Sequence, residues 1–154
     1  TYIYNPLLGY LVERYHSREK SFFSLIGKIL AGIFFVGVIS SVALFFFGKL
    51  LLSLFYGAGI AKHTDLLQPM LACAFLTGIA WFVNDLLVSL DNYRGVFVGS
   101  MLSLISAVAV MAPAQMLFGL NGPTVSALIS NAICLIYQSS VLGKQTQQWF
   151  GEKR

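Results

Sequence analysis

The stretch GVFVGSMLSLISAVAVMAPAQMLFGLNGPTVSALISNAICLIYQSSVLG (residues 95–143) runs for 49 positions without a charged side chain. A membrane-crossing helix needs ~20 mostly apolar residues, so this run is long enough for two helices. The GLNG segment (residues 119–122) marks the turn between them, because Gly and Asn accept positive φ at little cost. Pro123 follows at once and suits the first turn of a new helix. Outward from this run the pattern repeats: residues 29–48 and 66–84 also carry no charge. Over the whole chain 57% of residues are hydrophobic and 10% are charged. Soluble domains carry about a quarter charged residues. The expected fold is an all-α integral membrane protein with four complete spans, at about 22–47, 65–91, 96–118 and 124–142. A polar loop over about 11–21 and a polar tail over 143–154 flank them. The opening TYIYNPLLGY has no Met and reads as the end of a fifth helix, so the chain is expected to be a piece of a longer protein. It lacks the basic start and small-residue cleavage site of a signal peptide.

Charge sets the orientation. With the 11–21 loop, the turn at 91–95 and the tail on one side, that side holds Arg14, Arg18, Lys20, Lys28, Arg94, Lys144, Lys153 and Arg154. The other side holds Lys49 and Lys62. Cytoplasmic loops are rich in Lys and Arg, so the first side is expected in the cytosol. The same spread argues against nucleic-acid binding, since no basic patch is interleaved with aromatics. Motifs of hydrolases, zinc peptidases and phosphate-binding loops are absent, so no enzyme is expected. Cys73 and Cys134 sit in apolar segments and read as core filler, with no ligand spacing for a metal. His16 and His63 fall on opposite sides and share no site.

Polar residues inside the spans are the candidates for function. In the second span Thr77, Trp81, Asn84, Val88 and Asp91 share one stripe, with Asp85 and Asn92 beside it. In the fourth span Thr124, Ala127, Asn131, Cys134 and Gln138 form a matching stripe. The third span offers small residues at Gly99, Ser103, Ser106 and Pro113. Small residues admit close helix approach, and amides bond across it. Two readings stand: polar glue in a packed bundle, or the wall of a wet cavity, since polar groups in membranes face the bundle interior or water. Asp85 lies six residues before Asp91, ~9 Å along a helix, which makes it a gate or cavity-rim residue near the cytosol. Thr77 and Trp81 lie deeper. Pro69 and Pro113 allow kinks.

Taken in order, four motifs resemble one family. Pro6 opens a Pro-Leu-Leu, FFSLIGK follows at residues 22–28, FFFGKLLLSLFYGAGIAKHTDLL at 45–67 and LFGLNGPTVSALIS at 117–130. These resemble the polysaccharide flippases of the MOP superfamily, the Wzx-type exporters of O-antigen and capsule repeat units. Leu54, Phe55, Tyr56 and Gly57 match the element that closes one span in that family. Gly119, Gly122 and Ala127 match the element that opens a span two helices later. Pro123 departs from the Ala or Val common there. The resemblance implies a six-helix lobe of a MATE/MOP-type transporter, here the last five helices of the C-terminal lobe. It further implies transport of undecaprenyl-diphosphate-linked oligosaccharide across the bacterial cytoplasmic (inner) membrane, by alternating access with the missing N-terminal lobe. The implied partners are that lipid-linked substrate, the membrane lipids and the other lobe. No cofactor is implied, and the coupling ion, H⁺ or Na⁺, stays open. Lys28 is the one near-membrane cation on the cytoplasmic side for the diphosphate. A cation-coupled multidrug-type antiporter of the same superfamily is the alternative, with Asp85 as its acidic residue. A membrane polysaccharide polymerase is another, although it would want larger outside loops.

Overall fold

A computed structural model describes residues 4–17, 21–57, 59 and 64–151. Five helices follow in order: α1 (Tyr4–His16), α2 (Ser21–Tyr56), α3 (Leu67–Ser89), α4 (Tyr93–Phe118) and α5 (Gly122–Gly151). Short 3-10 turns occupy Thr64–Leu66 and Gly119–Asn121. The described residues contain no strand.

Three stretches are long and apolar enough to cross a membrane: Ser21–Phe55 with 35 residues, Leu67–Ser89 with 23 and Tyr93–Trp149 with 57. The third is not one rod. It contains both α4 and α5, which fold back on each other at Gly119, where φ is +55°. The two helices pack antiparallel at close range. A Cβ on Gly95 would stand 2.9 Å from Val141, and one on Gly99 would stand 2.8 Å from Gln138 Cγ. Farther along, Ser126 Oγ donates to the Ala107 carbonyl at 2.9 Å. At the turn, Gly122 lies directly on the backbone of Gln115. The helices expected at 96–118 and 124–142 both fall within this third stretch.

The α3–α4 connection shows how sequence stops one helix and starts the next. Asp91 takes φ +59°, a conformation that Asp tolerates better than most residues. Its N–H donates to Val88 O at 3.0 Å, and the Asn92 N–H donates to Leu87 O at 2.9 Å. This pair of bonds satisfies the last carbonyls of α3. Asn92 then caps α4, its Oδ1 accepting from the Gly95 N–H at 2.9 Å.

The apolar core sits at one end of the bundle. Leu11, Tyr15, Phe22, Phe82, Val83, Leu86, Leu87 and Leu90 are buried there together. Tyr15 stacks on Trp149 with ring centroids 5.5 Å apart, and Trp149 Nε1 donates to Tyr15 O at 3.1 Å. That end therefore gathers the close of α1, the α3–α4 turn and the close of α5, with Arg14, Arg94 and Lys144 nearby in sequence.

Helix boundaries differ from the expected ones for packing reasons. The segment expected as a loop from residue 11 is helical to His16, because Leu11 and Tyr15, one turn apart, both enter the core. The expected tail from residue 143 is helical to Gly151, with Thr146 buried and Trp149 packed on the core. The first long helix, by contrast, ends where the sequence allows: it runs on through GKLLLSLFY (residues 48–56) to Tyr56, and Gly57 breaks it at φ +87°. Pro69 falls in the first turn of α3, where no backbone bond is lost, so of the two expected kink sites only Pro113 lies in a helix interior.

Candidate functional site

The site grows from two helices that are neighbours in space but not in sequence. α3 and α5 run in the same direction, and their polar residues pair in rising order. Asn131 Nδ2 donates to Thr77 Oγ1 at 2.8 Å, and Thr77 Oγ1 itself donates to Cys73 O one turn back at 2.8 Å. Gln138 Nε2 donates to Asn84 Oδ1 at 3.0 Å. Gln145 Nε2 donates to Leu90 O at 3.1 Å and its Oε1 accepts from Asn92 Nδ2 at 2.7 Å. Thr77 and Asn84 are seven residues apart, as are Asn131, Gln138 and Gln145. Seven residues are nearly two helical turns, drifting only ~20°, so each set stays on one seam. The seam is a ladder of amide and hydroxyl rungs.

α4 lies against this ladder without sealing it. Between Trp81 and Asn84 on α3, Ser100 and Ser103 on α4, and Asn131 and Gln138 on α5 there is a cavity of about 380 Å³. Ala80, Leu104, Ala107 and Cys134 complete its wall. None of these side chains carries a formal charge. Gln138 is 1% exposed, and its Oε1 has no hydrogen-bond partner among the described residues. Gly99 lets Gln138 lie close to α4, because any side chain at Gly99 would strike the Gln138 amide. Trp81, by contrast, is 71% exposed and stands where the cavity opens.

Of the candidates read from sequence, Trp81, Asn84, Asn131 and Gln138 come together in the cavity wall, and Thr77 joins them through Asn131. Two do not. Asp85 is half-buried beside Asn84 and does not line the cavity; Ser89 Oγ donates to its main-chain carbonyl at 2.8 Å. Lys28 is exposed on α2, away from the ladder. Gly57, Gly119 and Gly122 shape turns and close contacts, and Pro6 and Tyr56 contribute backbone to α1 and α2. His16 Nδ1 lies 2.9 Å from Val12 O. Arg18, Lys20, Lys62, His63, Lys153 and Arg154 lie outside the described residues. Among the described residues no cluster of His, Cys, Asp or Glu could hold a metal ion, and both cysteines are free.

Sequence reasoning missed Gln145 and Ser100. The signal for Gln145 was present, since it continues the seven-residue step of Asn131 and Gln138; ending the helix at 142 hid it. Ser100 sits one turn before Ser103 on the same face.

A second space, between α2 and α3, has the opposite character. It measures about 530 Å³ and is walled by Ile29, Ile33, Val36, Leu71 and Phe75 with small residues between them. No side chain there forms hydrogen bonds. No protein-family model matches this chain, and neither does any curated protein or solved structure.

Proposed function

We propose that this chain is part of a MOP-type flippase lobe, with four membrane crossings. In this reading the protein carries undecaprenyl-diphosphate-linked oligosaccharide repeat units across the bacterial cytoplasmic membrane, for capsule, O-antigen or exopolysaccharide synthesis. The order of the sequence motifs supports it. The observation that carries it is the uncharged polar cavity between α3, α4 and α5, set among helices whose outer faces are apolar. A sugar headgroup cannot cross ~30 Å of hydrocarbon unaided, because every unpaired hydroxyl would lose its water. A wall of amides and hydroxyls replaces those lost hydrogen bonds.

The remaining features fit this arrangement. The end that gathers Arg14, Arg94 and Lys144 faces the cytosol, as the bias of basic residues favours. The diphosphate needs cations that the cavity does not contain, so the rest of the transporter supplies them. Asp85 stands outside the cavity, so this mechanism does not use it as a proton carrier.

The test is genetic and chemical. In a host that displays a surface polysaccharide, deleting the gene should abolish display and cause lipid-linked repeat units to accumulate on the cytoplasmic side. Wild-type and Asp85→Asn proteins, at equal levels, should both restore display. Unchanged polysaccharide after deletion would sink the flippase reading. Hypersensitivity to cationic drugs, cured by wild type but not by Asp85→Asn, would replace it with the antiporter.

A further inference from the structure

We infer that the α3–α4–α5 cavity is a binding subsite for one uncharged sugar ring, with Trp81 as its stacking platform. The inference deepens the flippase reading and rests on it for the source of the sugar; the chemistry comes from the cavity itself. Three observations converge on that class of guest.

First, the wall has hydrogen-bonding capacity but no charge. Asn84, Ser100, Ser103, Asn131 and Gln138 offer both donors and acceptors. An ion would find no counter-charge there, whereas a polyhydroxylated neutral molecule finds partners on three helices. Second, the wall is not self-satisfied. Gln138 gives its Nε2 to Asn84, but its buried Oε1 has no partner among the described residues. A buried acceptor without a donor costs free energy, and a guest hydroxyl supplies that donor. Third, Trp81 stands exposed at the opening. The face of an indole is electron-rich, which suits the polarised C–H bonds on the flat side of a pyranose. Water alone would satisfy Gln138, whereas a sugar ring would use both the Gln138 acceptor and the indole face beside it. At about 380 Å³ the volume is within the ~300–1,000 Å³ range of small-molecule sites.

The chain has two tryptophans, Trp81 and Trp149, and this makes the test direct. Trp149 packs on Tyr15 at the core end, so Trp149→Phe leaves Trp81 as the one indole of these helices. The 154-residue chain with this substitution, in lipid nanodiscs free of sugar detergents, is titrated with glucose, galactose and N-acetylglucosamine, and with spermidine as a cationic control. At least one sugar should shift Trp81 emission to shorter wavelength in a saturable way. Gln138→Leu should weaken that sugar about tenfold or more, as loss of a buried hydrogen bond does. Ser100→Leu, which crowds the opening without touching the ladder, should do the same and decides the matter if Gln138→Leu does not fold. No saturable shift with any of the three sugars overturns the subsite. So does a shift that both substitutions leave unchanged, or tighter binding of spermidine than of every sugar. The export assay separates this from the flippase reading: no sugar response with export intact removes the subsite alone, while a sugar response with no export defect on deletion removes the flippase alone.

Discussion

On α5, Ser130, Gln138 and Thr146 are 4%, 1% and 2% exposed, while on α2 Phe45 and Leu54 are 75% and 73% exposed. In a protein folded in water these values would be exchanged. The two regions show what each contact must achieve when the solvent is itself apolar. Burying Phe45 against another helix would gain little where lipid tails are equally apolar, and the open outer face of α2 fits such a surrounding. What holds helices together there is close backbone approach and hydrogen bonding across the gap. The α3–α4–α5 block has both, with Gly95, Gly99 and Gly122 at its contacts and three polar rungs. α2 is joined to α3 by less: Phe75 set against Gly37, Leu67 against Gly48, and one two-way pair in which Ser41 Oγ donates to Gln68 Oε1 at 3.0 Å and Gln68 Nε2 to Ser41 O at 3.4 Å.

The strongest way to break this comparison is to put a charge on the open face. Ile39→Arg, near the middle of α2 and exposed, should cost ~2.5–3.5 kcal/mol of insertion free energy, measured by glycosylation mapping of the whole chain in microsomes. No penalty would mean that the face does not meet lipid. Next in size is Gly122→Val. A Cβ there would stand 2.5 Å from Gln115 Cα, and backbone cannot yield as a side-chain tip can. The expected loss is ~1–3 kcal/mol, read as a lowered unfolding midpoint in mild detergent; an unchanged midpoint would show that α4 and α5 do not pack this closely. The smallest effect sharpens the picture of the ladder. A double-mutant cycle of Thr77→Val and Asn131→Leu should give a coupling of ~0.6 kcal/mol, the usual size for such bonds in membranes. A coupling of zero would mean that the two residues do not pair.

Much of this was legible in the chain, and the reasons differ by region. The long helices follow from uncharged runs, a signal that needs no tertiary information. The stripes of Thr77 and Asn84 and of Asn131 and Gln138 follow from spacing on a single helix. That these two stripes face each other depends on α4 standing aside, which spacing within one helix cannot reveal. Asp85 shows the limit most clearly. It is the immediate neighbour of Asn84, yet successive residues on a helix point ~100° apart, so one enters the ladder and the other does not line the cavity. The helical reach of α1 and α5 was hidden for a different reason: Tyr15, Thr146 and Trp149 lie among polar residues that resemble a loop or tail, and only the partners across the bundle make them core.

The bond from Trp149 Nε1 to Tyr15 O spans 134 positions of sequence. It therefore has a consequence in time as well as in space. Ribosomes add ~5–20 residues per second, so α1 is made on the order of ten seconds before the indole that fastens it. Through that interval Tyr15 lacks its stacking partner, and the core end of the bundle is open. The last helix closes what the first one begins.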